Sequence, residues 1–223
     1  CASVLAGGAI GSALGHILPE SLKEHLPTMF GLCSIAIGIN SIIKASAMTP
    51  VVLALLVGFT IGHLLHLEAW TSRFFHKLVK AMHLGGDGID MEFYITAVAL
   101  FCCSGFGWYS TLTEGIAGDP SLLFSKAVLD GFTALIFAST LGTSICAIPL
   151  PQCVILLCVF GAGRLLAGVL TPTMFADLSA CGGVLTMAAG FRVSKIKSVP
   201  LVDLMPALLL VMPFSLLWTM VRG

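Results

Sequence analysis

The sequence predicts an all-α polytopic membrane protein, and three observations support this fold class. Hydrophobic residues make up 57% of the 223 residues and charged residues 10%, whereas about a quarter of a typical soluble domain is charged. Apolar runs separated by short polar breaks approach the length of a membrane-spanning helix. The alternation of apolar and polar residues that is typical of a transmembrane barrel is missing.

The apolar runs indicate about eight helical segments, counted by their length and their polar boundaries. They lie near residues 1–17, 29–43, 50–67, 93–108, 121–148, 153–170, 178–192 and 200–221. Short connections rich in Lys and Arg stay on the cytoplasmic side of a membrane. The basic connections at residues 68–92 and 192–199 are therefore expected in the cytoplasm. With an even number of crossings between them, both chain termini are predicted outside.

The first and last parts of the chain are weakly similar to each other. The similarity appears when the sequence is compared with itself at an offset of 152 positions. Further along the chain, Pro50 matches Pro206 only if four residues are inserted. With eight crossings, residues 1–67 and 153–221 would have opposite orientations in the membrane. This predicts an inverted-topology repeat, which is typical of secondary transporters. The matched positions are Gly11 with Gly163, Leu18 with Leu170, Leu26 with Leu178, Gly31 with Gly183 and Gly38 with Gly190.

Residues 93–148, between the two repeats, are predicted to form a broken or re-entrant helical segment. Residues 94–108 would cover about 22 Å as helix, which is less than the ~30 Å of a bilayer core. Ser104 and Gly105 lie near the end of that short crossing. Residues 109–119 are rich in Gly, hydroxyl and carboxylate groups, which favours a loop or re-entrant linker.

A new helix is then expected to begin at Gly118, Asp119 and Pro120. Asp119 would accept a hydrogen bond as the N-cap residue, and Pro120 would occupy the first turn. The helix could extend to about Ala147, with Gly131 and Gly142 as candidate break points.

Lys126 and Asp130 are four residues apart, so they share one face of this helix and can pair. Charges at membrane depth usually face a bundle interior or a wet cavity, which makes this face a functional-site hypothesis. Lys126 could alternatively extend to the lipid headgroups. The candidate solute- or ion-binding residues are Glu114, Asp119, Ser121, Lys126, Asp130, Thr133, Ser139, Thr140 and Arg164. The candidate supporting residues are Ser104, Gly105, Gly118, Pro120, Asn40 and Asp177.

Arg164 lies near the middle of the apolar run 153–170, where a lone charge is costly. We expect an acidic partner for it, which could be Asp130, Asp177 or Asp203. A solute carboxylate is the alternative partner, because a guanidinium binds carboxylates in a bidentate manner. Ser139 and Thr140 could offer hydroxyls to a cation or solute, or could bond back to their own helix. Asn40 is expected to form a hydrogen bond between helices.

The central segment resembles the YqgA/YdfK-type family of bacterial inner-membrane proteins, and the resemblance extends over essentially the whole chain. The family's opening, an LP…MFGL segment and a late MPALLL…P segment match residues 2–8, 26–32 and 205–213. This resemblance implies a multi-pass protein of the bacterial inner membrane and assigns no substrate. The central hallmark residues are Phe101, Cys102, Ser104, Gly105, Glu114, Gly115, Gly118, Asp119, Pro120, Ser121, Lys126, Leu129, Asp130, Leu141 and Gly142.

The function expected from these patterns is secondary transport of a small polar solute, such as an amino acid or an organic anion. Access would alternate as one bundle moves, in an elevator-like manner, and sodium or protons could drive it. The N–H groups near residues 120–122 would face the negative group of the solute. Asp119 and Asp130 would bind its amine or a coupling ion, and Glu114 would gate or couple. An ion channel or leak pathway and a non-transporting membrane scaffold are the alternatives.

Other classes of function are not expected. The sequence lacks the common short motifs of hydrolases, metalloproteases and nucleotide-binding enzymes, so we predict no enzymatic activity. No metal site or cofactor is expected, apart from a coupling sodium ion or proton. The net charge of +0 argues against nucleic acid as a partner. The expected partners are membrane lipid, the solute and a second copy of the chain in a homodimer, since small residues let helices approach closely.

Overall fold

The computed structural model describes residues 1–14, 20–81, 91–102, 105–194 and 196–222, and all of its regular elements are helical. This confirms the predicted all-α fold class. A 3₁₀ segment, Gly142–Ala147, follows the seventh α-helix. The α-helices are α1 (Ala2–Leu14), α2 (Glu20–Ile42), α3 (Met48–Leu64), α4 (Leu67–Ala81), α5 (Met91–Cys102), α6 (Gly105–Ala117), α7 (Ser121–Leu141), α8 (Pro149–Leu166), α9 (Pro172–Val193) and α10 (Pro206–Arg222).

Three helical stretches within the described residues are long and apolar enough to cross a membrane: Ser121–Ser139, Gly142–Leu166 and Pro172–Val193. A fourth is obtained if Met48–Leu64 and Leu67–Phe74, which meet at a bend of 55°, are taken as one span. These stretches indicate a membrane protein. The predicted number of eight segments stays a prediction, because several of the other apolar helices are shorter than a full crossing.

Helices α2 and α9 pack with their backbones in direct contact. A Cβ placed on Gly190 would lie 2.6 Å from the carbonyl oxygen of Gly31, and one on Gly183 would lie 2.7 Å from that of Gly38. Because residue numbers rise along one helix as they fall along the other, the two helices are antiparallel. Between these contacts the Ser34 hydroxyl donates to the Thr186 carbonyl oxygen at 2.9 Å. Glycine is required here because any side chain would separate the helices.

Helices α1 and α7 also pack with their backbones in direct contact. A Cβ on Gly7 would lie 2.0 Å from the carbonyl oxygen of Gly131, and one on Gly11 would lie 2.2 Å from that of Leu135. Gly131 lies inside α7, so its role as a break point was predicted wrongly. Its small size accommodates the backbone of α1 instead.

The predicted linker at residues 109–119 is wrong, because most of it belongs to α6. Gly105 begins this helix, whereas Ser104 lies outside the described residues. Tyr109, Leu112 and Thr113 are buried although hydroxyl groups and glycines interrupt the apolar pattern. The central segment therefore contains two short helices, α5 and α6, in place of a short crossing followed by a loop.

The helix predicted to begin near Pro120 begins at Ser121, one residue later. Gly118 has a positive φ of 67°, and the Asp119 carboxylate accepts a hydrogen bond from the Ser121 backbone N–H at 3.0 Å. Pro120 thus occupies the N-cap position, while Asp119 provides the acceptor expected of it. At the other end the helix stops at Leu141, since Gly142 has a φ of 61° and starts the 3₁₀ segment. Gly142 is confirmed as a break.

The predicted basic loop 68–92 begins as a helix, because residues 67–81 form α4. Glu68 in its first turn accepts a hydrogen bond from Arg192 at 2.7 Å and another from the Val202 backbone N–H at 3.2 Å. The two basic connections predicted from the sequence therefore lie side by side at one end of the bundle.

Candidate functional site

Lys126, Asp130 and Gln152 form a buried polar cluster between α7 and α8. The Lys126 ammonium donates to Asp130 Oδ2 at 2.5 Å, and Gln152 Nε2 donates to the same oxygen at 3.0 Å. Lys126 is 2% exposed and Gln152 is fully buried. The spacing of Lys126 and Asp130 along one helical face explains the pairing. The third member of the cluster comes from the start of the next helix.

This cluster borders a cavity of about 380 Å³, which we call the Lys126 cavity. Three buried oxygens of its lining have no hydrogen-bond partner among the described residues: Gln152 Oε1, Thr111 Oγ1 and Ser3 Oγ. Leaving such a group without a partner costs about 1–3 kcal/mol each. The residues that line the cavity thus include buried groups with unused hydrogen-bonding capacity beside a charged pair. Its lining comprises Cys1, Ala2, Ser3, Thr111, Pro120, Leu123, Phe124, Lys126, Ala127, Asp130, Gln152, Cys153, Leu156, Leu157 and Phe160.

The walls of the Lys126 cavity away from the charged pair are apolar. Leu123 and Phe124 contribute from α7, and Leu156, Leu157 and Phe160 contribute from α8. Phe124 and Leu157 are exposed, so the apolar side of the cavity is also its open side. The arrangement can receive a molecule with polar groups at one end and an apolar group at the other.

A second cavity, of about 490 Å³, lies on the other side of α6 and α7, and we call it the Asp119 cavity. On α6 it is bordered by Thr113, whereas Thr111 borders the Lys126 cavity. Successive helical residues are rotated by about 100°, so Thr111 and Thr113 face nearly opposite directions. The lining comprises Ala36, Ile37, Asn40, Lys44, Tyr109, Thr113, Ala117, Asp119, Ser121, Leu122, Ser125, Phe175 and Ser179.

The predicted single site is therefore divided between two cavities. Asp119 and Ser121 border the Asp119 cavity, whereas Lys126 and Asp130 border the Lys126 cavity. The two carboxylates that were expected to bind the solute's amine or a coupling ion therefore border different cavities, on different faces of α7. Hydrogen bonding to Ser121 lowers the pKa of the exposed Asp119 carboxyl, and Lys44 adds a smaller effect in the same direction.

Other predicted residues lie around these cavities. Asp130 and Thr133 also border a small cavity of about 50 Å³ together with Ser34. Thr133 and Ser139 donate to carbonyl oxygens of their own helix, at 2.8 and 2.6 Å, which is the back-bonding alternative.

The side chain of Thr140 lies outside the described residues. Asn40 is exposed on the wall of the Asp119 cavity, and no hydrogen bond described between helices involves it.

Glu114 lies on α6 next to the threonines of both cavities. Its Oε2 atom is buried and has no hydrogen-bond partner among the described residues. A single turn of α6 thus carries three buried oxygens without a hydrogen-bond partner among the described residues: Thr111 Oγ1, Thr113 Oγ1 and Glu114 Oε2. The packing of Gly115 against the α8 backbone at Gly163, where a Cβ would lie 3.0 Å from the Gly163 Cα, holds that turn close to α8.

Arg164 does not lie where the sequence indicated. Because the helical stretch begins at Gly142 and α8 ends at Leu166, Arg164 falls in the last turn of α8 and not near the middle of a span. It is exposed and belongs to neither cavity lining. The predicted pairing with Asp130, Asp177 or Asp203 is wrong, since no ion pair between described residues includes Arg164.

Two of the three aspartates offered as partners of Arg164 fix helix starts instead. Asp177 Oδ1 accepts hydrogen bonds from the backbone N–H groups of Ser46 and Ala47, at 2.9 and 2.8 Å, just before α3. Its other oxygen accepts from the Ser215 hydroxyl at 2.6 Å. Asp203 likewise accepts from the Glu68 backbone N–H at 2.9 Å, in the first turn of α4. Asp177 therefore joins α9 to the start of α3 and to α10.

Sequence reasoning missed several residues of the cavities, namely Ser3, Lys44, Thr111, Thr113 and Gln152. Gln152 could have been found, because it is a lone amide at the start of an apolar run and such amides usually bond within the bundle. The threonines gave no comparable signal, since a threonine can satisfy its own hydroxyl within a helix.

Comparisons with known proteins agree with the resemblance of the central segment. A family model described as "Protein of unknown function (DUF554)" matches residues 1–216. The "Uncharacterized protein YqgA" of Escherichia coli (strain K12) is 39% identical over 225 aligned positions, covering 97% of this chain and 94% of the relative.

The "Uncharacterized membrane protein YdfK" of Bacillus subtilis (strain 168) is 26% identical over 215 positions, covering 93% of this chain and 89% of the relative. No solved structure matches the chain. The family match and the YqgA similarity both extend over nearly the whole sequence, so the chain belongs to the DUF554 family.

Proposed function

We propose that the protein is a secondary transporter of a small polar solute, such as an amino acid or organic anion. The observation that carries this proposal is the Lys126 cavity of about 380 Å³, whose lining residues include the Lys126–Asp130 ion pair and three buried oxygens that have no hydrogen-bond partner among the described residues. Charged groups inside a membrane protein are costly and typically belong to a solute or ion pathway. A scaffold would gain nothing from unsatisfied polar atoms beside a cavity.

The packing of α2 against α9 supports an inverted repeat. Shifting the contact between Gly31 and Gly190 by 152 positions gives the pair Gly183 and Gly38, which is the other close contact of the same two helices. The Ser34 to Thr186 hydrogen bond joins two residues that are themselves 152 positions apart. A local two-fold axis between the helices accounts for all three relationships. Inverted repeats with this kind of axis underlie alternating access in transporters.

The two cavities lie on opposite faces of α6 and α7, and both adjoin the connection between these helices, so they belong to one end of the bundle. Alternating access would therefore require a movement of α6 and α7 that carries the site toward the other end. Glu114 and Asp130 would then be the candidates for binding a coupling proton or sodium ion. Asp130 borders both the Lys126 cavity and the small cavity near Ser34, which places it between two spaces.

The protein would act as a multi-pass homodimer in the bacterial inner membrane, with both termini outside. The neighbouring positions of α4 and the 192–199 connection are compatible with both facing the cytoplasm, as their basic residues require.

Uptake into proteoliposomes tests the proposal. Purified protein is reconstituted, and amino acids and organic acids are offered under an imposed proton or sodium gradient. Saturable, gradient-dependent uptake of at least one solute is expected. The proposal fails if no solute accumulates under either gradient. Uptake that rises without saturation would instead favour the channel or leak alternative.

A further inference from the structure

We infer that the solute of the Lys126 cavity is a zwitterion with an apolar side chain, the chemical class of the neutral apolar amino acids. This inference rests on the proposed function and narrows it, because it excludes organic anions without an amine and amino acids with charged side chains. Four features of the cavity lead to it.

The first feature is the pair of opposite charges. Lys126 and Asp130 are the charged side chains of the cavity lining, and they lie 2.5 Å apart. A solute carboxylate can bind the ammonium of Lys126 while a solute amine binds the carboxylate of Asp130. A solute with only one of these groups would leave the other buried charge with poorer compensation, which is unfavourable at low exposure to water.

The second feature is the type of atom that lacks a partner. Gln152 Oε1 has no partner among the described residues, and as an amide carbonyl oxygen it can only accept a hydrogen bond. The donation from the amide nitrogen to Asp130 identifies this atom as the oxygen. A solute must therefore bring an N–H or O–H donor to this position. The ammonium group of an amino acid supplies such a donor next to Asp130, whereas a simple organic anion supplies none.

The third feature is the unused donor capacity of the lysine. Its ammonium carries three N–H groups, and the described hydrogen bonds use one of them, toward Asp130. The Thr111 and Ser3 hydroxyls can donate as well, since neither has a partner among the described residues. A carboxylate has two acceptor oxygens and would use these donors.

The fourth feature is the apolar wall. Leu123, Phe124, Leu156, Leu157 and Phe160 surround the space away from the charges. An apolar side chain gains about 25 cal/mol for each Å² that it removes from water there. A charged side chain would meet no opposite charge among these five residues. The wall therefore favours a leucine-like tail over that of aspartate or lysine.

The test is equilibrium binding of five compounds to the purified full chain. L-leucine is compared with 4-methylpentanoate, which lacks the amine, and with 3-methylbutylamine, which lacks the carboxylate. Glycine lacks the tail, and L-aspartate carries an additional charge. Leucine is expected to bind more tightly than each of the others by about tenfold or more, a factor that one lost charged hydrogen bond readily produces. Equal or tighter binding of any of the other four, or no binding of leucine, overturns the inference.

A variant of Gln152 tests whether leucine binds in the Lys126 cavity. Replacing Gln152→Leu removes the acceptor for the amine, so leucine affinity is expected to fall about tenfold while 4-methylpentanoate affinity changes little. The control Arg164→Gln, which alters an exposed cation outside the cavity, is expected to leave both unchanged. An equal loss for both ligands in the Gln152 variant would contradict the assigned role.

The two proposals can fail separately. If leucine binds with this selectivity but is not accumulated by proteoliposomes under either gradient, the transporter proposal fails and the assigned solute class stands. If proteoliposomes accumulate an organic anion or aspartate in preference to leucine, the transporter proposal stands and the assigned class is wrong.

Discussion

The ammonium of Lys126 and the carboxylate of Asp130 lie 2.5 Å apart on successive turns of α7, and Lys126 is only 2% exposed. A buried pair of this kind stabilises the fold less by its own attraction than by preventing an unpaired buried charge. The consequence is a strong energetic coupling between the two residues, which can be measured.

Removing only Asp130 should be more damaging than removing both charges. We expect Asp130→Asn to reduce the free energy of unfolding by about 3 kcal/mol, because it leaves the Lys126 ammonium without its charged partner. The double variant Lys126→Met with Asp130→Asn should recover part of this loss. Chemical or thermal unfolding of the purified variants in one detergent measures the coupling. Strictly additive effects of the two substitutions would contradict it.

The α2–α9 contact should not tolerate a methyl group. At Gly190 a Cβ would lie 2.6 Å from the Gly31 carbonyl oxygen, so Gly190→Ala must move the helices apart and should destabilise by about 1–3 kcal/mol. Gly161→Ala in α8 is the matched control, since nothing lies within 4 Å of the added Cβ. This control should be neutral or stabilising, because alanine has the higher helix propensity. Similar melting temperatures for both variants would argue against the close contact.

Replacing Asp177 with alanine should destabilise the protein more than replacing it with asparagine. Asp177→Ala removes the acceptor for the N–H groups of Ser46 and Ala47, and a loss of about 2 kcal/mol is expected. Asp177→Asn keeps one carbonyl oxygen for these donors and should cost less. Hydrogen exchange of the two amides, compared between variants, identifies the site of the effect. Unchanged protection in the alanine variant would show that the carboxylate does not fix the start of α3.

The contribution of Asp119 to the stability of the folded protein should decrease at low pH. Because hydrogen bonds to Ser121 lower the pKa of its carboxyl in the folded protein, its contribution to stability is present above the unfolded pKa of about 3.9. That contribution is lost as the pH falls through the lower, folded pKa. A titration of the carboxyl carbon by NMR should give a folded pKa below the ordinary value. A value at or above it would contradict the observed helix-start hydrogen bond.

The sequence predicted those features that follow from composition and local chemistry. The all-α fold followed from the apolar runs, and the pairing of Lys126 with Asp130 from their spacing on one helix. The break at Gly142 followed from a glycine inside a predicted helix that could extend to about Ala147. Each of these depends on residues that are close together in the chain, so elementary helix geometry was sufficient.

The errors arose where tertiary packing decides the outcome. Residues 109–117 were expected to form a linker because hydroxyls and glycines obscured their helical period, yet neighbouring helices on several sides bury Tyr109 and Thr113 in α6. Arg164 was placed too deep because the start of its helix was assigned too late. The division of the candidate site into two cavities depends on which helices flank α7, and local sequence does not contain that information.

The most direct test of the transporter account compares solute uptake by two variants, each of which lacks one cationic side chain. Lys126→Gln and Arg164→Gln are reconstituted at equal amounts of folded protein, verified by their unfolding transitions, and gradient-driven uptake of the transported solute is measured. The account predicts that the Lys126 variant loses nearly all uptake, since it lacks the buried cation of the cavity, while the Arg164 variant retains wild-type uptake. Wild-type uptake by a folded Lys126 variant would contradict the account.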